Sequence, residues 1–274
     1  MQITCLLENT PGATGCGFEH GLSFHVATGK QNLLVDTGQS NLTLQNADRL
    51  GIDLSAVDTV VLSHAHYDHT GGVLGLLERN HHATIYLRQE ARGDFFGEGP
   101  TGKRYNGADK RIFESPQVHW VHGDETVNEE LSLFGGVTER VLWPKGNLRL
   151  YRRVGEEYLP DSFDHEQYAC LRADGLYVLL GGCAHAGIVN ILRRFRQLYH
   201  RDPNVVLSGF HMMKATPYDE EDRAQAEAIA DELLSYDTRF YTGHCTGQEG
   251  FDLLKERMGD RLKYIHSGDR GERG

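Results

Sequence analysis

One stretch dominates this sequence: Ser63-His64-Ala65-His66-Tyr67-Asp68-His69-Thr70-Gly71-Gly72. It directly follows the apolar run Thr59-Val60-Val61-Leu62, whose β-branched residues predict a short buried strand. In the extended chain that leaves such a strand, His64 and His66 point to the same side. Asp68 and His69 then lie at the entry to the next element, where a turn can bring them back to the same point.

This stretch places three imidazoles and one carboxylate within six positions. A single histidine beside a strand is usually an ordinary hydrogen-bonded residue, and the chain has 15 histidines. A cluster of four such groups differs, because desolvation and mutual repulsion make it costly unless a cation binds there. Imidazole nitrogen and carboxylate oxygen are ligands for zinc, manganese and iron. The stretch therefore predicts a divalent-metal site.

Composition limits the other classes of function. With 274 residues, of which 39% are hydrophobic and 24% charged, the chain can form one large globular domain spanning residues 1–274. The net charge of −11 argues against a nucleic-acid surface but leaves room for a small anionic substrate. There is no apolar run of about 18 residues and no signal-peptide pattern, so we expect a cytoplasmic protein without a membrane partner. Five irregularly spaced cysteines predict reduced thiols, and nothing here predicts the oligomeric state.

Strand and helix patterns alternate through the chain, which is typical of a layered α/β architecture. In the first half, residues 3–7, 22–26, 32–35 and 83–87 predict strands, and residues 41–50 predict a helix that Gly51 closes. In the second half, the expected strands are residues 118–121, 139–142, 148–154, 168–172, 176–180, 204–207 and 238–242. The expected helices there are residues 188–199 and 220–234.

Three of the later strands end in glycine-containing loops that carry His185, His211 and His244. Any one of these alone would be an ordinary turn histidine. Three at the carboxyl ends of strands match the place where α/β folds build their sites. We expect them to add to the first cluster.

Residues 88–116 lose this periodicity and are rich in glycine and aromatic residues. Such a stretch within a compact domain is either functional or a misread element. We interpret it as a substrate-facing insertion, in which Arg104 and Arg111 would hold a phosphate or carboxylate and aromatic rings would stack on the substrate. The alternative is a merely solvated excursion.

The string His-x-His-x-Asp-His after a strand resembles the signature of the metallo-β-lactamase superfamily. Four other stretches are similar to the subgroup that contains the archaeal dihydropterin ribofuranosyl-aminobenzene phosphate synthase. They are Glu19-His20-Gly21, Gly182-Cys183-Ala184-His185, Ser208-Gly209-Phe210-His211 and Thr242-Gly243-His244-Cys245. The resemblance covers residues 19–246. It implies an α/β fold, the four-layer αββα sandwich, with two divalent metal ions, of which zinc is the first choice and manganese or iron the alternatives.

The resemblance also implies roles for individual residues. One metal would bind His64, His66 and a later histidine. The second would bind the pair Asp68 and His69 together with a final histidine, a position that His244 matches.

One ligand position departs from the family pattern. Where the family usually has a bridging aspartate after a strand and a glycine, this chain has Cys183, with His185 two residues further on. Either Cys183 is a ligand or His185 supplies the contact, and we favour His185, because imidazole suits this set. Cys183 is then expected beside the ligands rather than on the metal.

Asp36 matches an aspartate that ends a strand in the family. Its implied role is to orient the metal-binding loop by hydrogen bonds. The alternative is an ordinary turn aspartate before glycine. His20 and His211 are expected to contact the substrate.

These features predict a metal-dependent hydrolase that acts on a small, anionic ester, lactone or phosphate. Two metals together lower the pKa of a water between them from about 15.7 to near 7, and Asp68 would orient that water. One alternative is a transferase that condenses a phosphoribosyl aromatic with a pterin diphosphate, as the subgroup suggests. Another is a metal-dependent binding or sensing module without catalysis.

Overall fold

The structure, a computed structural model, describes residues 1–271 and contains two large β-sheets, one small sheet and six α-helices within that range. The strands of the first part are β1 (Gln2–Leu7), β2 (Ser23–Ala27), β3 (Asn32–Val35), β4 (Thr59–Val61), β5 (Thr84–Arg88), β6 (Asp94–Gly99), β7 (Gly102–Tyr105) and β8 (Val118–Val121). Those of the second part are β9 (Glu125–Thr126), β10 (Leu131–Phe134), β11 (Leu150–Val154), β12 (Glu157–Pro160), β13 (Tyr168–Ala173), β14 (Leu176–Leu180), β15 (Val205–Leu207), β16 (Arg239–Thr242) and β17 (Leu262–Tyr264). The helices are α1 (Leu42–Leu50), α2 (Tyr67–Thr70), α3 (Val73–Leu77), α4 (Ile188–Tyr199), α5 (Glu220–Leu234) and α6 (Gln248–Met258).

The two large sheets have similar plans. The first has the strand order β1-β2-β3-β4-β5-β8, antiparallel from β1 to β3 and parallel from β3 onward. The second has the order β17-β16-β15-β14-β13-β10-β9, parallel from β17 to β14 and antiparallel beyond. Each sheet therefore has a parallel part, whose strands all end at the same edge.

Alternating side chains sort the core into layers, because successive residues of a strand point to opposite faces. Leu33 and Val35 of β3 lie in a buried cluster shared by both sheets, whereas Leu34 packs with helix α1 on the outer face. In the second sheet, Val178 belongs to the shared cluster and Leu179 to a cluster with helices α4 and α5. The layers are thus helix, sheet, sheet and helix, which confirms the predicted αββα sandwich. None of the helices in residues 1–271 combines the length and the apolar character that crossing a bilayer requires.

Residues 88–116 carry more regular structure than the sequence suggested. Strands β6 and β7 form an antiparallel hairpin, and β6 also pairs with β11, so that a third sheet has the order β12-β11-β6-β7. Gly97, Gly99 and Gly102 interrupt the alternation of side chains, so the sequence shows no clear strand pattern here. The segment adjoins the metal motif, since Gly107 pairs with His66 in an isolated bridge.

The prediction of a strand at residues 139–142 is wrong. Val141 exchanges both of its backbone hydrogen bonds with the side chain of Asn190, at 3.1 Å and 2.9 Å, instead of with a neighbouring strand. The Arg140 guanidinium binds the carbonyl oxygens of Val137 and Glu139. Local side chains therefore satisfy this backbone in an irregular conformation.

The metal motif turns at Gly71 with no room for a side chain. A Cβ atom there would lie 2.1 Å from the carbonyl oxygen of Gln39, although the backbone of Gly71 is helical, with φ −66°. We therefore expect Gly71→Ala to lower the free energy of unfolding by about 1–3 kcal/mol through overpacking, and to weaken metal binding because α2 must shift. Chemical denaturation and metal titration measure the two effects. Gly29→Ala is the matched control, because nothing lies within 4 Å of that position, and an equal loss in both variants would contradict this account.

Candidate metal centre

Asp68, His69 and His244 lie close together, although His244 is far from the other two in the sequence. Their ligand atoms and the sulfur of Cys183 all lie within 4.8 Å of one another, and all four residues are buried. The Nε2 atoms of His69 and His244 are 3.2 Å apart, and Asp68 Oδ2 is 3.3 Å from His244 Nε2. The structure thus brings together the three residues that the family resemblance assigned to one metal.

His64 and His185 form a second group beside the first. The ring of His66 lies next to them, although the His66 ligand atom is grouped with those of Asp161 and His165. The Nε2 atoms of His64 and His185 are 3.3 Å apart, and Cys183 Sγ belongs to this group as well. The ring of His66 lies 4.6 Å from that of His64 and 4.9 Å from that of His185. Its Nε2 atom is buried and has no hydrogen-bond partner.

Asp36 fixes the orientation of two of these imidazoles. It accepts hydrogen bonds of 2.7 Å from His69 Nδ1, from the Ser63 backbone N–H and from the Ser63 hydroxyl. Because the hydroxyl proton points to Asp36, Ser63 Oγ accepts from His64 Nδ1, 2.8 Å away. Both rings therefore carry a proton on Nδ1 and turn Nε2 toward the centre.

Two asparagines hold the histidines from the later loops in the same way. Asn147 donates from Nδ2 to the His185 carbonyl oxygen at 2.7 Å, so its Oδ1 atom accepts from His185 Nδ1 at 2.9 Å. Asn9 Oδ1 accepts from Gly21 N–H at 3.1 Å and from His244 Nδ1 at 2.8 Å. Outer hydrogen bonds of this kind fix the tautomer of a metal-binding histidine.

The geometry of the donors fits divalent metal. His64 and His185 face each other through Nε2 lone pairs, which cannot hydrogen-bond to one another, and His66 Nε2 is buried without a hydrogen-bond partner. Two nitrogens bound at about 2.0–2.1 Å to one tetrahedral zinc are about 3.3–3.4 Å apart. The observed Nε2 separations of 3.3 Å and 3.2 Å agree with that spacing.

The protonation of the groups also suits metal. Burial lowers the pKa of His66 to about 3 and those of His64 and His185 well below the usual value, which leaves these rings neutral at neutral pH. Burial opposes ionisation of Asp68, but the neighbouring histidines outweigh it and hold the pKa of Asp68 well below its usual range. Burial would likewise lower the pKa of His69, but the carboxylates of Asp36 and Asp68 raise it to about 9. At neutral pH a metal therefore displaces a proton from His69.

Strained backbone is concentrated around this centre. Within residues 1–271, eight non-glycine residues have positive φ, and five of them lie in these loops: Asp36, Phe163, Ala184, His211 and His244. Non-glycine residues in this conformation persist where the surroundings over-determine them, which is common at functional sites. The ring of Phe163 stacks on that of His185 at 4.5 Å, with 6° between the planes.

The remaining predicted histidines border the centre. His20 Nε2 is 3.2 Å from Asp68 Oδ2, and the side chain of His20 is 39% exposed, so it lies at the mouth of the site. The ring of His211 is 4.1 Å from that of His185. His211 lies outside the two ligand groups above, but its ring is close to the sulfurs of Cys183 and Cys245.

The two predicted arginines lie farther out. The Arg104 guanidinium is 5.8 Å from the ring of Tyr67. Tyr67 directly precedes Asp68 in the sequence. Arg111 lines an open groove of about 700 Å³ along α2. Its guanidinium pairs with Asp109 at 2.6 Å, which neutralises the charge that was predicted to hold the substrate.

Several residues that support the ligands carry little signal in the sequence. Glu166 accepts from the backbone N–H groups of His185 and Ala186, at 2.7 Å and 2.8 Å. Glu8 accepts from the His244 backbone N–H. His165 accepts from Ala65 N–H at 3.2 Å and binds Asp161 at 3.1 Å through its other nitrogen, so it positions the metal loop. The one available signal was an acidic residue at the end of an apolar strand, as at Glu8.

Comparisons with known proteins agree with this fold. Residues 16–147 match the family model described as the metallo-β-lactamase superfamily. A solved metal-dependent hydrolase of the β-lactamase superfamily is similar over 99% of this chain and 98% of its own, with 27% sequence identity and a TM-score of 0.84. The chain therefore has the metallo-β-lactamase fold, and its residues 16–147 match the metallo-β-lactamase superfamily.

Two curated relatives come from the archaeon Methanocaldococcus jannaschii. One is an uncharacterised protein, 26% identical over 245 residues, which cover 87% of this chain and 88% of the relative. The other is the 7,8-dihydropterin-6-methyl-4-(β-D-ribofuranosyl)-aminobenzene-5'-phosphate synthase, 24% identical over 265 residues, with coverage of 91% and 88%. The chain is thus similar to proteins with different descriptions.

Proposed function

We propose that this protein is a hydrolase that uses two divalent metal ions to cleave a small anionic ester, lactone or phosphate. The observation that carries the proposal is the pair of adjacent ligand groups whose donor atoms converge at one edge of the sandwich. The similar solved structure described as a metal-dependent hydrolase supports the same class of reaction.

In this proposal each ligand group holds one cation. His64, His66 and His185 would bind one, and Asp68 with His69 would bind the other together with His244. Two such cations acidify a water between them and polarise the bond under attack. The ionised Asp68 carboxylate would orient the water by accepting a hydrogen bond from it.

Local positive charge supports an anionic substrate despite the net charge of −11. Burial would lower the pKa of His20, but the hydrogen bond to Asp68 outweighs it and raises that pKa. The His20 ring can therefore carry a proton at the mouth of the site. Arg104 adds a second cation near Tyr67, and cationic groups beside a cleft concentrate anions there.

A second candidate is the transferase reaction, in which a phosphoribosyl aromatic displaces diphosphate from a pterin. The specific observation in its favour is the similarity to the archaeal synthase over 91% of this chain. In that case the same cations would bind the leaving diphosphate.

The test compares zinc-loaded and chelated protein on phosphomonoesters, phosphodiesters, carboxylic esters and lactones in oxygen-18-labelled water. We expect turnover only in the loaded protein, with label in the product, and we expect Asp68→Asn to abolish it. Asp48→Asn removes a surface carboxylate that pairs with Arg79, and this control should retain activity. Turnover that survives thorough chelation would exclude the proposal, and diphosphate release without label from a pterin diphosphate would establish the transferase instead.

A further inference from the structure

The sulfur of Cys183 lies where the two ligand groups meet. Cys183 follows β14 after two glycines, is only 3% exposed, and places Sγ 3.2 Å from His69 Nε2. The same sulfur lies within 4.8 Å of the ligand atoms of Asp68, His69 and His244 and of those of His64 and His185. It is the residue common to both groups.

We propose that Cys183, as a thiolate, is the bridging ligand between two metal ions. This inference rests on the proposed function only in assuming that both ligand groups hold a cation. It revises the sequence-based preference, because Cys183 and His185 both reach the centre and neither excludes the other.

The alternative is a buried thiol that hydrogen-bonds within the protein. A thiol has one proton, and within 4.8 Å of this sulfur lie the lone pairs of His64 and His185 and the Asp68 carboxylate. One S–H group can satisfy one acceptor. With a thiolate between two cations, every one of these acceptors has a partner, since each cation binds its own acceptors and both cations bind the sulfur.

The loop that carries Cys183 is fitted closely to this position. A Cβ atom on Gly182 would lie 2.1 Å from Ser63 Oγ, so the backbone before Cys183 packs against the residues that orient His64 and His69. A cysteine side chain reaches less far than an aspartate. A zinc–sulfur bond of about 2.3 Å, against about 2.0–2.2 Å for zinc–oxygen, compensates for part of that difference.

A bridging thiolate has a consequence for metal choice. Thiolate is a soft ligand, which favours zinc or iron over manganese or magnesium at the same site. Manganese was one alternative in the sequence-based prediction, and we now expect it to bind more weakly than zinc.

The test counts the sulfurs around zinc by X-ray absorption in the intact protein loaded with two equivalents of zinc. A bridging sulfur gives one sulfur neighbour per zinc on average, whereas a sulfur bound to a single zinc gives half that number. We expect one. No sulfur neighbour, or half of one, in protein that holds two zincs and turns over substrate would overturn the bridge and leave the proposed function standing.

Two variants assign the sulfur to a residue. We expect Cys183→Ser to lose the sulfur signal and to bind its second zinc more than about 100-fold more weakly, since the loss of an outer hydrogen bond alone costs about 10–100-fold. Cys183→Asp should lose the sulfur but keep two zincs, because a carboxylate can bridge. Cys245→Ser is the matched control, since the Cys245 thiol lies beside the Cys183 carbonyl oxygen at 3.4 Å, and it should keep the signal. A sulfur signal that persists in Cys183→Ser and disappears in Cys245→Ser would refute the assignment.

Discussion

Asp36→Asn is expected to weaken metal binding by about 10–100-fold, the usual effect of losing an outer partner of a metal ligand. The carboxylate accepts three hydrogen bonds, two from Ser63 and one from His69. An amide has one oxygen, so at least one of these donors then faces an NH₂ group. If that donor is His69 Nδ1, its proton moves to Nε2, and that nitrogen can no longer bind metal.

The same substitution should lower the free energy of unfolding by about 1–3 kcal/mol, because it leaves a buried donor unpaired. Competition with a chromophoric chelator measures zinc affinity, and denaturation of the metal-free variant measures stability separately. Asp48→Asn removes one member of an exposed pair with Arg79, and such pairs contribute little. Unchanged zinc affinity in Asp36→Asn would mean that Asp36 does not set the tautomer of His69.

Much of the fold could be predicted because its signals are local. The apolar runs around Val60 and Val178 identify strands of the parallel regions, and helices α4 and α5 have the bounds that their apolar stripes predict. The signals fail where the pattern is short or diluted. Helix α6 and strand β17 near the end of the described chain were not predicted, and β6 and β7 are interrupted by glycine.

The residues of the candidate metal centre likewise differ in whether a local sequence signal identifies them. His64, His66, Asp68 and His69 stand in one string, so their spacing alone indicates a common centre. Their partners are isolated polar residues. Asn147, for example, lies in a Pro-Lys-Gly-Asn sequence that is typical of a turn. Only the tertiary fold, which brings the segment Lys145–Arg149 to the loop after β14, places such a residue beside His185.

Cys183 illustrates a further limit. From the sequence, the cysteine and His185 appeared as competitors for one position, since they are two residues apart. In the structure, the loop after β14 turns at Ala184, which has φ 57°, and both side chains reach the centre. A residue in a left-handed conformation breaks the simple alternation of side chains, so sequence spacing could not decide between them.

Glu166→Ala is expected to cost about 4 kcal/mol of unfolding free energy, because it orphans three buried donors at about 1–3 kcal/mol each. Those donors are the backbone N–H groups of His185 and Ala186 and the hydroxyl of Tyr168. For a chain of this size, the melting temperature should fall by roughly 10 °C. Zinc affinity should fall as well, since Glu166 anchors the loop that carries His185.

Glu166→Gln tests whether the carboxylate of Glu166, rather than any side chain of that size, anchors the loop that carries His185. The amide keeps one acceptor oxygen but presents an NH₂ group to the remaining donors, so we expect a loss between those of the wild type and Glu166→Ala. Glu78→Ala removes an exposed glutamate at the end of α3 and controls for truncation. A fall of less than about 2 °C in Glu166→Ala, about 1 kcal/mol, would show that the loop of His185 is held by other contacts, since three unpaired donors cannot cost so little in a dry interior.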